Sequence, residues 1–263
     1  MLARALKTIR DGLVGLAYPQ ECRICGRTVE SWDDGVACAR CWDDPALTWV
    51  LTGIVCDRCG TPLTPAATRA EGSPRTHSER TCGMCPSAPF TAARACGVYS
   101  GAFEASILFL KVAPHIPPRL RGIVNRVFSE HHRVLQGDVV IPVPLHRLRE
   151  RERGFNQAAI IARLISKGFG LEIDERSLKR VKPTDRHRAG MDASDRAQSV
   201  ERAFEVVRPR LIGGASVLLV DDLYTTGSTI SAASSALIEA GAPRVNVFTI
   251  ARVSERHPTA ETV

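Results

Sequence analysis

Two adjacent carboxylates, Asp221 and Asp222, followed after two residues by Thr225-Thr226-Gly227-Ser228-Thr229, are the residue types in this chain best suited to chemistry. Short hydroxyls around a glycine let backbone N–H groups converge, and a loop of this kind opening a helix adds the positive end of the helix dipole. That combination holds a phosphate. The carboxylates would repel a phosphate, but they accept hydrogen bonds from sugar hydroxyls or ligate Mg2+. Phosphate, diol and divalent cation together describe a ribose 5-phosphate. The alternative is a strand followed by a well-capped helix, with Ser228 or Thr229 as the cap.

A second chemistry lies in the first hundred residues. Eight of the nine cysteines form C-x-x-C pairs: Cys22/Cys25, Cys38/Cys41, Cys56/Cys59 and Cys82/Cys85. Each such turn points two thiolates at one tetrahedral metal, and two turns complete a closed structural site, so four predict two structural zinc ions. Glycine follows Cys25, Cys59 and Cys82, where a tight turn requires it. Pairing first with second and third with fourth closes the shorter loops and is expected over a crossed arrangement. A disulfide framework competes, disfavoured by the repeated two-residue spacing and the lack of an export signal. His77 is a weaker ligand candidate than Cys82 or Cys85, and the leftover Cys96 reads as a buried small hydrophobe.

A third group is basic. Residues 145–210 carry 16 Lys or Arg against 10 Asp or Glu, which suits a polyanionic ligand or nucleic acid. Arg151 and Arg153 offer forked donors to anionic oxygens, and Gly154 permits close backbone approach. Asn156 and Gln157 fix the turn or face an acceptor. A solvated helix start with alternating charges is the plainer reading of any single arginine here.

The elements that position these groups follow from periodicity. Val217–Val220 is a buried parallel strand ending at the acidic pair, and residues 229–240 form the helix after it, closed by Gly241. Asp138–Pro144 is a second buried strand, stopped by its prolines. In a doubly wound sheet ligands bind outside the carboxyl ends of the strands, so both ends should face one crevice, with Val143 and Pro144 in the 142–147 turn against a pyrophosphate. A strand to Tyr99, helices over 103–111 and 118–133, a helix opened by Arg147–Gln157 and running to about Lys167, and a final strand over 245–251 complete an α/β domain.

The chain of 263 residues, at net charge +7 and pI about 9.1, divides into four parts. These are an amphipathic helix over 1–18, a double zinc ribbon over 19–92 with a Pro/Ser/Thr-rich loop over 61–80, the α/β domain over 93–253, and a polar tail over 254–263. No segment reaches membrane-spanning length, and a cytoplasmic protein is expected.

The acidic pair with its Thr-Thr-Gly-Ser-Thr loop resembles the phosphoribosyl-diphosphate (PRPP) motif of type I phosphoribosyltransferases. Arg151-Glu152-Arg153-Gly154-Phe155-Asn156-Gln157 resembles the R-x-R-G-F-N-Q signature of the ComF/GntX group of phosphoribosyltransferase-like proteins, which also carry an N-terminal double zinc ribbon. The resemblance covers nearly the whole chain and implies a Rossmann-like, mostly parallel sheet with flanking helices. It implies that Asp221 and Asp222 hold the ribose diol and Mg2+, that residues 225–229 grip the 5-phosphate, and that ribose 5-phosphate passes to an unknown nitrogenous acceptor as pyrophosphate leaves. By the same resemblance Lys111 closes a segment near the active site, and Lys179 and Arg180, in a loop that shuts over PRPP, neutralise pyrophosphate. The rival implication is a non-catalytic PRPP or nucleotide sensor that engages single-stranded DNA or a protein partner in DNA uptake. The sequence departs from the family at Thr184-Asp185-Arg186-His187, where Thr-x-x-Gln is common, and at Arg196–Val200, where Arg-x-x-Asn-Leu is common. Both departures bear on the acceptor more than on PRPP.

Overall fold

The computed structural model describes residues 20–63, 80–83, 85, 87–182 and 203–254. The helix expected over 1–18, most of the 61–80 loop with His77, the departures at 184–187 and 196–200, and the tail from 255 lie outside the described residues.

Five strands form a wholly parallel sheet: β1 (Ala92–Val98), β2 (Val139–Pro142), β3 (Glu172–Ile173), β6 (Val217–Tyr224) and β7 (Val245–Arg252), in the order β1-β7-β6-β2-β3. β1 and β7 are buried along their whole length, as strands covered on both faces must be. After a short helix α1 (Ala39–Asp43) in the cysteine-rich segment, one face of the sheet carries α2 (Gly101–Leu110), α3 (Pro118–His131) and α5 (Gln157–Phe169), packed against Val140, Leu218, Val220 and Phe248. The other carries α7 (Ser228–Glu239), over Ile141, Leu219, Val245 and Val247. This is the layered α/β architecture that the type I resemblance implies.

The chain leaves β2 outward to β3, then returns on the other flank of β2 as β6, so strand order reverses between β2 and β6. Such a switch point opens a crevice at the carboxyl ends of the two strands. β6 runs past β2, whose last paired residue is Pro142 opposite Val220, and continues along β7 to Tyr224. The acidic pair therefore lies within the strand rather than beyond its end. A neighbouring strand that supplies ladder partners outweighs the low strand preference of aspartate.

Two further differences matter near the crevice. The helix expected from Arg147 is two helices: α4 (Arg147–Arg153) stops at Gly154, at φ +81°, and Asn156 caps α5 by accepting from the N–H of Ala158 at 3.0 Å. Residues 178–180, read as part of a loop, are strand β4 (Leu178–Arg180), paired antiparallel with β5 (Phe204–Val206). A one-turn helix, α6 (Pro209–Ile212), carries no signal in the sequence reading. α7 ends as expected, with the N–H of Ala242 on Leu237 O and that of Gly241 on Ile238 O, the paired bonds of a glycine cap.

The cysteine pairs assemble sequentially, Cys22, Cys25, Cys38 and Cys41 in one cluster and Cys56, Cys59, Cys82 and Cys85 in the other. They are not tethered as a loose module. Val50 bridges Gly97 antiparallel and the N–H of Ala93 donates to Arg58 O at 2.6 Å, so ribbon segments line the open side of edge strand β1.

Candidate functional site

At the switch point the two carboxylates lie side by side and interact. Asp222 is buried and accepts from Gln157 Nε2 at 3.1 Å, while Arg153 Nη1 donates to Gln157 Oε1. Arg153, Gln157 and Asp222 thus form one chain, in which the arginine fixes which end of the amide faces the aspartate. The R-x-R-G-F-N-Q stretch and the acidic pair, 65 residues apart, meet through this bond. Asn156, besides capping α5, donates from Nδ2 to Val143 O at 2.9 Å, and the N–H of Val143 donates to Val220 O at 2.8 Å. The 142–147 turn is thereby pinned beside β6. Asn156 and Gln157 both fix structure around the acidic pair.

Asp221 accepts from the N–H of Asp222 at 2.9 Å. Burial of its carboxyl, with Asp222 beside it, raises its pKa well above the usual carboxylate value, and Arg180 opposes that rise. The Arg180 guanidinium lies 5.2 Å over the Phe204 ring, with its Nε buried and unpartnered, and it senses Arg149 as well as Asp221. Lys179, one residue away, is exposed and opposite Glu205 in the ladder. Strand alternation separates these two candidates.

The loop hydroxyls of Thr225, Thr226 and Ser228 are exposed, and Thr226 Oγ1 lies 3.1 Å from Ser228 Oγ. Gly227 is the N-cap of α7, at φ +83°, and has no side chain to cap the helix, while Thr226 Oγ1 accepts from the N–H of Ser228 at 3.4 Å. The capping alternative for Ser228 and Thr229 therefore does not describe this loop, whose N-terminal N–H groups and helix dipole face an open position. A Cβ at Gly227 would meet Tyr224 Oη at 2.5 Å, so the loop rests directly on that phenol.

Of the other candidates, Arg151 is exposed on α4 and Pro144 lies in the pinned turn. Tyr99, just before α2, has its pKa raised by burial, by Glu104 and by Asp222, which places the start of α2 beside the site. Lys111 ends that helix, about 15 Å further along its axis at 1.5 Å per residue. Tyr99, Arg149, Tyr224 and Arg252 also stand at or behind this site and were not among the candidates read from the sequence. Tyr224 carried a signal in its place inside the motif, and Arg149 in its place in the basic 145–210 stretch.

Both cysteine clusters fit zinc. A tetrahedron with Zn–S bonds of about 2.3 Å has S···S edges of about 3.8 Å. The Sγ separations are 3.8 Å for Cys25–Cys38, 3.7 Å for Cys56–Cys85 and 3.6 Å for Cys59–Cys82. With four sulfurs in each cluster no position is left for substrate, so these are structural zinc sites. Cys96 is fully buried and burial pushes its thiol up, as expected of an inert hydrophobe.

Residues 13–86 match the double zinc ribbon domain family. The chain is 34% identical over 135 residues to Competence protein F of Haemophilus influenzae, covering 51% of this chain and 58% of that protein. It is 28% identical over 188 residues to the DNA utilization protein YhgH of Escherichia coli, covering 69% of this chain and 82% of that protein. Competence protein ComFC of Bacillus subtilis is 31% identical over 132 residues, 49% of this chain and 48% of its own length. Among solved structures, glutamine PRPP amidotransferase from Bacillus subtilis matches at TM-score 0.37 and 21% identity, over 55% of this chain and 30% of that one. A purine phosphoribosyltransferase from Pyrococcus horikoshii matches at TM-score 0.30 and 15% identity, over 54% and 93%. Residues 13–86 thus carry a double zinc ribbon, and the chain as a whole is similar to these competence and DNA utilization proteins.

Proposed function

We propose that the protein binds PRPP and transfers its ribose 5-phosphate to a nitrogenous acceptor, releasing pyrophosphate. The observation that carries this reading is the meeting of an acidic pair, its Asp222 buried and hydrogen-bonded, and a helix N-terminus opened by glycine in the crevice between β2 and β6. Thr225–Thr229 hold the 5-phosphate through backbone N–H groups and hydroxyls. Asp221 and Asp222 accept from the ribose hydroxyls, with Asp222 oriented by Gln157. Arg180, Arg149 and Arg151 are the cations available to departing pyrophosphate, beside the turn carrying Val143 and Pro144.

Adjacent carboxylates, one of them reluctant to ionise, are a donor set that a hard divalent cation relieves, and Mg2+ there would neutralise charge between carboxylates and diphosphate oxygens. Among the described residues no side chain at the site is placed as an obligatory general base, which supports an acceptor that brings its own nucleophilic nitrogen. Paired zinc thiolates suit a reducing compartment, which supports a cytoplasmic protein. Among the described residues no helix is long and apolar enough to cross a membrane.

Calorimetry with PRPP in the presence and absence of Mg2+ tests the binding, and pyrophosphate release tested across ammonia, amines and nucleobases identifies the acceptor. Absence of Mg2+-dependent PRPP binding sinks the reading. Gln157→Glu, which sets a third carboxylate against Asp222, is expected to weaken PRPP by about 100-fold, the scale of a lost buried hydrogen bond to a charged group plus repulsion.

One observation favours a second reading, single-stranded DNA handling without turnover. α4 carries four arginines in 7 residues and buries none of them, next to the crevice, and the relatives are named for competence and DNA utilization. DNA binding that survives Asp221→Asn with Asp222→Asn, and weakens as salt is added, would support it. Binding that disappears with those aspartates would not.

A further inference from the structure

The second cysteine cluster sits against the far side of the phosphate loop. Cys59 O accepts from Arg252 Nη1, and the Arg252 guanidinium lies 4.9 Å over the Tyr224 ring. Arg252 is buried at the end of β7, in register with Tyr224 at the end of β6. Phe90 meets the same ring edge-on at 6.3 Å. Tyr224 in turn carries Gly227, whose α carbon leaves no room for a methyl before the phenol oxygen. The knuckle sits directly against the sheet, since a Cβ at Gly60 would stand 2.6 Å from Ala93 O, and it is tied there by the N–H of Ala93, which donates to Arg58 O.

We infer that Arg252 and Tyr224 are positioning residues that couple the Cys56/Cys59/Cys82/Cys85 zinc site to the 225–229 loop, so that metal in this site sets the loop's grip on a sugar phosphate. Zinc fixes the Cys56–Gly60 turn and hence the height of the Cys59 carbonyl. That carbonyl anchors the guanidinium, the guanidinium packs the phenol, and the phenol supports Gly227 at the left-handed φ from which α7 starts. The coupling rests on the loop being the phosphate-binding element proposed above. It adds that affinity for the 5-phosphate depends on side chains and a metal that never touch it.

The test compares two probes on the full chain by calorimetry: ribose 5-phosphate, which requires the loop, and magnesium pyrophosphate, which does not. Tyr224→Phe and Arg252→Lys are expected to weaken ribose 5-phosphate about fivefold, the scale of one neutral hydrogen bond or packing contact, while magnesium pyrophosphate binds as before and metal content is unchanged. Cys82→Ser, which breaks only the second site, is expected to halve the zinc content and weaken ribose 5-phosphate at least as much. Trp42→Phe, which disturbs only packing around the first cluster, should lower thermal stability and leave the ribose 5-phosphate affinity in place. Unchanged ribose 5-phosphate affinity in both Tyr224→Phe and Arg252→Lys overturns the coupling, as does equal weakening of both probes. Should Cys82→Ser fail to fold, those two variants still decide. If the parent chain binds neither probe, the functional reading fails on its own. The coupling is then judged by the Gly227 amide resonance, which must shift in Tyr224→Phe and Arg252→Lys; a resonance that stays put refutes it.

Discussion

The two zinc knuckles share one local structure and dock in opposite ways. In the first, Cys22 N–H donates to Arg27 O at 2.8 Å, Gly26 N–H returns to Cys22 O at 2.9 Å, and Gly26 has φ +71°. In the second, Cys56 N–H donates to Thr61 O at 2.8 Å, Gly60 N–H returns to Cys56 O at 2.9 Å, and Gly60 has φ +71°. The first knuckle docks with apolar surface: Trp42 packs edge-on against Phe103 at 5.8 Å, under the Arg119 guanidinium, which also pairs with Asp34 at 2.7 Å. The second docks with buried arginines on backbone carbonyls, Arg94 on Asp57 O and Ala93 O, Arg252 on Cys59 O. Apolar burial is non-directional, whereas a guanidinium fork fixes position. The first arrangement suits stability, the second placement of what lies beyond it.

That contrast is tested first by Trp42→Ala. Trp42 is 4% exposed, and its truncation should cost about 4 kcal/mol through lost burial and the cavity left behind, read by thermal or denaturant unfolding. Ribose 5-phosphate affinity should hold in the variant below its melting temperature. A parallel fall in both would erase the difference between the knuckles.

The equivalent glycines give a sharper comparison, because their backbones match and their surroundings do not. A methyl at Gly26 meets nothing within 4 Å, whereas one at Gly60 meets Ala93 O at 2.6 Å. Gly26→Ala should cost about 1 kcal/mol, the strain of a left-handed φ alone. Gly60→Ala should cost about 3 kcal/mol, since the knuckle must also move off the backbone of β1. Equal losses in unfolding experiments would mean that the second knuckle is free to shift, and the link from zinc to phosphate loop would lose its anchor.

What the sequence exposed, and what it hid, follows the range of the interactions. The cysteine turns, the Thr225–Thr229 loop and the glycine end of α7 are set within a few residues, and each reads directly from spacing and residue type. The partner of Gln157 is 65 positions away and depends on which strands become neighbours. The extension of β6 through Asp221 and Asp222 depends on β7 lying alongside, and strand β4 depends on β5, a partner far along the chain. The break between α4 and α5 was within reach: Gly154 followed by Asn156 is a stop signal followed by a cap. The alternating charges of Arg147–Arg153, which continue a helical pattern, masked it. Arg252 carried no local signal, because its partners are a carbonyl and a ring brought to it by the fold.

The smallest effect lies where neither knuckle reaches, at Asp221. Its folded pKa is raised by burial and by Asp222, so the native state holds this proton more firmly than the unfolded chain does. Ionised Asp221 therefore costs stability at neutral and alkaline pH, and the cost fades as pH falls through the raised value and the native carboxyl takes up its proton. Asp221→Asn removes the ionisation and should raise Tm by about 2 °C at pH 8, the shift expected for roughly 1 kcal/mol in a chain of this size, with the gain shrinking toward acid pH. The same variant should lose Mg2+-dependent PRPP binding, and in the parent chain that binding should weaken as protonation of Asp221 removes an acceptor. Because Asp221 is governed by Asp222 and Arg180 rather than by either ribbon, the gain in Tm should be the same in a Trp42→Phe background. A gain that changes there would place the first knuckle in contact with the acidic pair, and the division of labour between the two zinc sites would have to be redrawn.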